Sequence, residues 1–337
     1  MQITVYETQT VFDELKSQWN ELLSRSQANR IFSTWEWQST WWSAYHPGDL
    51  WGLTITNENG NLVGIAPWFI EHHPQRGRIV RTIGCVEVTD YLDIIIDLEH
   101  FDAALAAIAS FVSSHHDHFD MIDLCNIPET SLTYKVLPEK LIEQGFNVKL
   151  VQQEVCPIIK LPSSWEQYFE ILDKKQRHEL RRKLRRAEGA TESVSWYIVD
   201  KEHVLVDEIE QFIHLMASSH TDKANFLKDE QNQTFFRAIV PIIFEKDWLQ
   251  MSFLMIDGEP AAAYLNFIYG DSVQVYNSGL LPEKYGHLSP GIVLLAHNIQ
   301  YAIEHGYRIF DFLRGNETYK YRMGAEETKV HMLIAES

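Results

Sequence analysis

Residues 311–320 read Asp-Phe-Leu-Arg-Gly-Asn-Glu-Thr-Tyr-Lys and set four charged side chains, Asp311, Arg314, Glu317 and Lys320, beside Tyr319. The stretch follows an apolar run, and a strand that ends in such a cluster is a common way to build a site. Roughly 20 residues upstream lies Ser289-Pro290-Gly291, at the apparent start of a helix. Ser289 can cap that helix, Pro290 fits its first position, and Gly291 lets a ligand approach the backbone. The exposed amides of a helix start can hold phosphate oxygens. The two stretches together suggest a phosphate-bearing donor and an acyl acceptor at one edge of a sheet. The glycine spacing of a dinucleotide loop is absent, and so is the Lys-Ser/Thr pair of a P-loop.

A third stretch is electrostatic. Residues 174–186, KKQRHELRRKLRR, hold eight of the 29 Lys and Arg residues and one acid, Glu179. On a helix, Arg177, Arg181 and Arg185 line one stripe, with Arg182 and Arg186 beside it. Like charges stacked this way repel, so the segment needs acidic neighbours, solvent or an anionic ligand. A solvated face, a ligand-facing role and nucleic-acid contact all remain open.

These stretches must be held by alternating helices and strands. Helices are expected over 10–23, from Ser33 or Thr34 to Pro47, and over 103–113, 136–143, 204–218, 232–246 and 290–305, with a long helix or helix pair over 163–188. Strands are expected over 2–6, 79–83, 92–96, 119–124, 273–278, 309–313 and 331–334. Two hairpins stand out. One joins 51–56 to 62–70 through Asn59-Gly60-Asn61, and the other joins 249–256 to 260–269 through Asp257-Gly258-Glu259. Their likeness, and the helices and strands around each, predict a degenerate duplication of one α/β unit. Pro157 and Pro162 put the boundary near 155–165, giving regions 1–155 and 156–337. His115, His116 and His118 read as a surface loop, and no metal site is expected.

The chain has 337 residues, 45% of them hydrophobic, which suits two domains better than one. A net charge of -18 argues against a general nucleic-acid binder. Cys85, Cys125 and Cys156 are odd in number and widely spaced, which argues against a metal knuckle and a disulfide scaffold and favours a reducing cytoplasm. The N-terminus does not read as a signal peptide, and no apolar run reaches the ~20 residues of a membrane span. Peripheral association with the inner membrane through partners stays open. In the first half, Trp37 and Trp41 beside Asp90, Tyr91 and Asp93 suggest an aromatic platform with carboxylates, suited to an amino sugar. An exposed turn explains Asp90–Asp93 almost as well, and area burial explains the tryptophans.

The segments IFSTWEWQSTWW, LVGIAPWF, KKQRHELRRKLRR and the run from DGEPAAAYLNFIYG to GNETYKYRMG occur in an order that resembles a known family. It is the GNAT-type N-acetyltransferases, and within them the acetyltransferase-like proteins of cellulose and exopolysaccharide biosynthesis, relatives of the Fem peptidyltransferases. The resemblance implies an α/β fold of tandem acetyltransferase-like domains, the first degenerate, each a mixed central sheet flanked by helices. It places the acyl donor's pyrophosphate at Tyr285, Gly286, His287, Ser289 and Gly291. It implies acetyl-CoA or another acyl-CoA as donor and a saccharide or other small envelope precursor as acceptor. Fem relatives use aminoacyl-tRNA, so a tRNA-dependent transferase is an alternative, and a non-catalytic assembly protein is another. Transfer from a thioester to an amine needs alignment, a proton acceptor and stabilisation of the carbonyl oxygen. Asp311 or Glu317 would accept the proton. Lys320 would steady the oxyanion, as the matching Fem lysine suggests, and Tyr319 would orient the acceptor or protonate the thiolate. Arg181, Arg185 and Arg314 would bind an acidic acceptor or phosphate. No cysteine sits in a nucleophilic setting, so direct attack is expected.

Overall fold

Period and alternation decide the elements of the first of two compact units, residues 1–155 with 328–337. The computed structural model describes residues 1–85 and 88–336. Strand β1 (Gln2–Tyr6) leads to helix α1 (Thr10–Ser24), which buries Phe12, Leu15, Trp19, Leu22 and Leu23 as its periodicity predicts. Helix α2 (Trp35–Tyr45) is capped by Thr34, whose hydroxyl accepts the Trp37 N–H at 3.3 Å. Then come β2 (Asp49–Leu50), β3 (Gly52–Thr56), β4 (Leu62–Ala66), β5 (Trp68–His73), β6 (Gly77–Thr82) and β7 (Ile95–Ile96). Helix α3 (Phe101–Ser114), β8 (Met121–Pro128) and α4 (Leu132–Glu143) complete the run. Strand β9 (Asn147–Lys160) leaves this unit at Val155, and β15 (Glu326–Glu336) re-enters it at Thr328.

The strands form an antiparallel sheet in the order β1-β3-β4-β7 and a second set, β15-β8-β6-β5-β2, in which only β6 and β8 run parallel. The expected single strand over 62–70 is two strands. Pro67 has no N–H to donate, and there the chain passes from β4, paired with β3, to β5, paired with β6. The expected strand over 92–96 shortens to Ile95–Ile96. The sequence reading sets a disulfide aside, yet Cys85 and Cys125 are bonded, with Cα atoms 6.1 Å apart, and Cys156 is free and buried.

The second unit, residues 156–327, holds a mixed sheet with helices packed on it. Its elements are α5 (Trp165–Ile171), α6 (Lys174–Glu188), β10 (Val194–Ile198), α7 (Leu205–Ser219), α8 (Thr221–Phe226) and α9 (Glu230–Glu245). They continue as β11 (Leu249–Ile256), β12 (Glu259–Tyr269), β13 (Ser272–Leu280), α10 (Pro282–Tyr285), α11 (Pro290–Glu304), β14 (Ile309–Asp311) and α12 (Thr318–Arg322). The long helical stretch is a pair because Asp173 caps α6, accepting the Gln176 N–H at 2.8 Å. Strand order is β10-β11-β12-β13-β14-β9, antiparallel except for β13 and β14. Val293, Leu294, Ile299 and Ala302 of α11 pack with Leu254, Ala262, Val273 and Phe310 to make the core behind the sheet. Among the described residues no helix is long and apolar enough to cross a membrane.

Candidate functional site

The site begins where two parallel strands part. β13 pairs with β14 over three positions only, Ser272 with Ile309, Val273 with Phe310 and Gln274 with Asp311. β14 then stays with β9: Asp311 pairs with Ile158, and the Phe312 N–H reaches the Pro157 carbonyl at 2.9 Å. β13 stays with β12, where Tyr276 is the extra residue of a bulge between Val275 and Asn277. Among the described residues, one edge of β13 from Val275 to Leu280 therefore has no strand beside it. An open edge of this kind offers backbone hydrogen bonds to an extended, amide-bearing ligand. Helix α7 backs the strand so closely that a Cβ on Gly279 would fall 2.4 Å from the Leu215 carbonyl carbon.

The edge runs into the helix start singled out from the sequence. Ser289 occupies the N-cap of α11 with φ 55°, and its side chain makes no capping bond. Its hydroxyl instead accepts Lys183 Nζ at 2.9 Å. The Gly291 N–H finds no acceptor among the described residues. A Cβ at Gly286 would meet nothing within 4 Å. Backbone, amide and ammonium thus face an approachable position, which suits a phosphate. Tyr285 and His287 each meet a carboxylate. The Tyr285 hydroxyl donates to Glu259 at 3.1 Å, and the His287 imidazole meets Glu192 at 3.0 Å.

Helix α6 meets this loop through residues other than those expected. Lys183 holds Ser289, and Arg186 donates to the His287 carbonyl at 3.1 Å. Arg181 and Arg185 are exposed: Arg181 lies over the Phe169 ring at 4.6 Å, and Arg185 donates back to the Arg181 carbonyl at 3.3 Å. Leu180 and Ala187 define the buried face of α6, and Lys183 lies between them. That phase was readable from the apolar positions alone. A pocket of about 130 Å³ opens here, lined by Leu180, Lys183, Ile292, Tyr319, Arg322 and Met323 among others.

The cluster at 311–320 folds over the fork. Asp311 is buried, and its carboxylate accepts the Leu313 N–H at 2.8 Å. Leu313 and Gly315 both take positive φ, 55° and 117°, which turns the carbonyls of 313–315 inward. Lys320 collects them, donating to Arg314 O at 2.9 Å, Gly315 O at 3.0 Å and Leu313 O at 3.4 Å, with the Glu317 carboxylate at 2.9 Å. Its three protons are all engaged. Arg314 is part-buried. Burial, and then the Glu317 carboxylate, push the Tyr319 phenol well above its ordinary range, so it holds its proton. The Tyr264 phenol, also pushed up by burial and then by Tyr319, donates to the Gly291 carbonyl at 3.2 Å.

One residue of this site has no sequence signal. Lys223, on the short helix α8, reaches the free edge of β13 and donates to the Ser278 carbonyl at 2.5 Å and to Ser278 Oγ at 3.3 Å. Burial lowers its pKa to about 8; Glu317 opposes that shift and Lys320 reinforces it.

The expected platform of the first unit is not a surface. Trp37 and Trp41 are fully buried, and Trp37 Nε1 donates to Thr89 Oγ1 at 3.1 Å. Helix α2 is apolar on more than one side, and neither ring leaves a face for a ligand. Tyr91 is buried with Arg30 over its ring at 4.9 Å. Asp90 is part-buried. The Asp93 carboxylate accepts the Ser131 hydroxyl at 2.6 Å, and desolvation raises its pKa. The open groove of this unit lies elsewhere, with a volume of about 880 Å³ and walls that include Trp42, Trp51, Asp49, His72 and Arg78. His115 stacks on Phe111 at 3.9 Å, and no metal-binding cluster occurs among the described residues.

Residues 174–321 match the family model of the acetyltransferase (GNAT) domain. No curated protein matches the chain. Among solved structures it is similar to FemX, at TM-score 0.65 and 11% identity, over 98% of this chain and 97% of that one. It is similar to a conserved protein of unknown function from Bacteroides thetaiotaomicron, at TM-score 0.58 and 12% identity, over 100% of both chains. It is also similar to L-PGS from Bacillus licheniformis, at TM-score 0.54 and 11% identity, over 94% of this chain and 90% of that one. At such identities the likeness is one of fold. The second unit, within which the matched residues lie, has a GNAT-like α/β fold, a mixed sheet flanked by helices.

Proposed function

We propose that the second unit is an acyl-CoA-dependent N-acyltransferase, acetyl-CoA being the first donor to test. Its acceptor is an amino sugar, a nucleotide sugar or a related envelope precursor. The observation that carries this reading is the fork. The open edge of β13 runs for six residues, 275–280, toward a helix start where Lys183, Ser289 and the Gly291 amide converge. The edge suits the amide-bearing arm of a coenzyme A thioester, and the helix start suits its pyrophosphate. The acceptor amine attacks the thioester carbonyl directly, without an enzyme-bound acyl group. The Tyr319 phenol, kept protonated by its burial, gives its proton to the departing thiolate. Lys320 holds the loop carrying Arg314 and Glu317 in place, and its charge reaches the carbonyl oxygen only through that loop. Asp311 fixes the turn that follows it. We assign the first unit as a degenerate acetyltransferase-like domain and the protein to polysaccharide production.

One observation favours a second reading. Lys174, Lys175, Arg181 and Arg185 of α6 are exposed with no carboxylate at ion-pair distance among the described residues. They would suit the longer polyanion of an aminoacyl-tRNA. Calorimetric titration with acetyl-CoA and desulfo-CoA separates the two. Micromolar binding, abolished in Ser289→Trp and Gly291→Trp, is the expected result. No binding of either ligand, with tRNA binding that weakens steeply as salt rises, would overturn the acyl-CoA reading.

A further inference from the structure

The mechanism above leaves the acceptor's proton without a destination. The two carboxylates expected to take it are engaged, Asp311 by the Leu313 N–H at 2.8 Å and Glu317 by Lys320 at 2.9 Å. Lys223 is different. Among the described residues, its side chain's hydrogen bonds go to Ser278, at 2.5 and 3.3 Å, and no carboxylate lies at ion-pair distance from it. A neutral lysine making those two bonds keeps its lone pair free. Ser278 is two residues in from the end of β13, on the path from the helix start to the fork. Lys223 therefore lies beside the edge along which an extended acyl donor would run.

We propose that Lys223 is the proton acceptor of the transfer, an inference that rests on the acyltransferase reading. The amine nitrogen attacks the thioester carbonyl carbon and the C–N bond forms. The nitrogen's proton passes to Lys223 Nζ. The C–S bond breaks, its electron pair leaves on sulfur, and Tyr319 protonates the thiolate. Solvent then takes the proton from Lys223 and returns one to Tyr319, so the site is restored. The charged groups acting on Lys223 are Glu317 and Lys320, which oppose one another, and burial sets the balance. With a pKa of about 8, roughly a quarter of Lys223 is neutral at pH 7.5. A base so tuned matches its task near neutrality.

Two measurements test this. In the first, trace acetic anhydride labels the intact protein between pH 6.5 and 11, and each lysine's reactivity is read by peptide mass spectrometry, with and without saturating desulfo-CoA. Lys223 should titrate near pH 8, and desulfo-CoA should suppress its labelling several-fold. In the second, thiol release from acetyl-CoA is followed with water as the probe nucleophile. Lys223→Arg keeps a cation beside Ser278 but cannot give up its proton, and release should fall by about 100-fold or more. Affinity for desulfo-CoA should hold within about threefold, because a base that acts only in the chemical step adds no ground-state binding. Titration of Lys223 in the ordinary lysine range of about 10.4, or full release by Lys223→Arg, overturns the assignment. If desulfo-CoA does not bind, the donor reading falls and the assignment of Lys223 falls with it; if it binds and Lys223→Arg keeps full release, only the assignment of Lys223 falls.

Discussion

Replacing Lys320 with Met tests whether its ammonium is a clamp or a free catalytic cation. The side chain is 3% exposed and donates to three carbonyls, the two shortest bonds being 2.9 and 3.0 Å, with Glu317 as its counter-ion. Methionine keeps most of the volume and removes every one of these bonds. A hydrogen bond from a charged donor contributes about 1.5–3 kcal/mol, and breaking a buried pair costs about 3–5 kcal/mol. Glu317, 56% exposed, can be rehydrated, which places the loss toward the lower figure. For a unit of this size each kcal/mol moves the melting temperature by about 2–4 °C, so a loss near 3 kcal/mol should shift it by roughly 6–12 °C. Scanning calorimetry measures it, and hydrogen exchange should show loss of protection over 312–318, where Leu313 and Gly315 hold positive φ. A shift under about 2 °C with that loop still protected would refute the clamp and return Lys320 to the role of oxyanion partner.

Lys223→Met should stabilise the fold below pH 8. The folded pKa is about 8 against an ordinary 10.5, so below 8 the folded state carries the full desolvation penalty of the ammonium. Between 8 and 10.5 the unfolded chain binds more protons, wild-type stability rises, and the variant's advantage disappears. That advantage should be about 1–3 kcal/mol at pH 7, allowing for partial exposure and the lost bonds to Ser278, and denaturant midpoints at pH 7 and 10 check it. Gly279→Ala should cost about 1–3 kcal/mol or fail to fold, because its Cβ meets α7 backbone at 2.4 Å and backbone cannot swing aside. Lys183→Met should weaken desulfo-CoA binding by about 1.5–3 kcal/mol through loss of one charge-assisted contact, whereas Arg181→Gln should change it less than twofold when assayed by calorimetry.

What could be read from the sequence was what is local. The helix start at Ser289-Pro290-Gly291 and the charged run after β14 are built from residues whose types are themselves the signal. The partners of those residues were hidden. Ser289 does not cap with its side chain but receives Lys183 from a helix more than a hundred residues earlier, a contact no spacing rule encodes. Trp37 and Trp41 looked available because aromatic content says nothing about which way a helix turns, and α2 buries Glu36 and Gln38 as well. β10 and β9 went unread. β10 is five residues long and β9 begins with exposed positions, so neither shows a clean alternation. The Cys85–Cys125 bond joins residues 40 apart that only the fold brings together.

The two lysines show why residue type and neighbourhood in sequence mislead about chemistry. Lys320 sits in the motif and was the natural choice for the oxyanion. But the two positive-φ residues before it point three carbonyls at one place, and a buried cluster of carbonyl oxygens requires a cation to be stable. The loop's own backbone therefore fixes that ammonium in a structural role. Lys223 lies in a six-residue helix with no sequence signal, yet it reaches a strand edge that has lost its neighbour, where among the described residues its ammonium meets one backbone carbonyl and one hydroxyl. Engagement, not motif membership, decides which lysine can exchange a proton. The same parting of β13 from β14 that leaves an open strand edge also places Lys223 at Ser278, so the proposed groove and the proposed base both trace to one feature of the sheet.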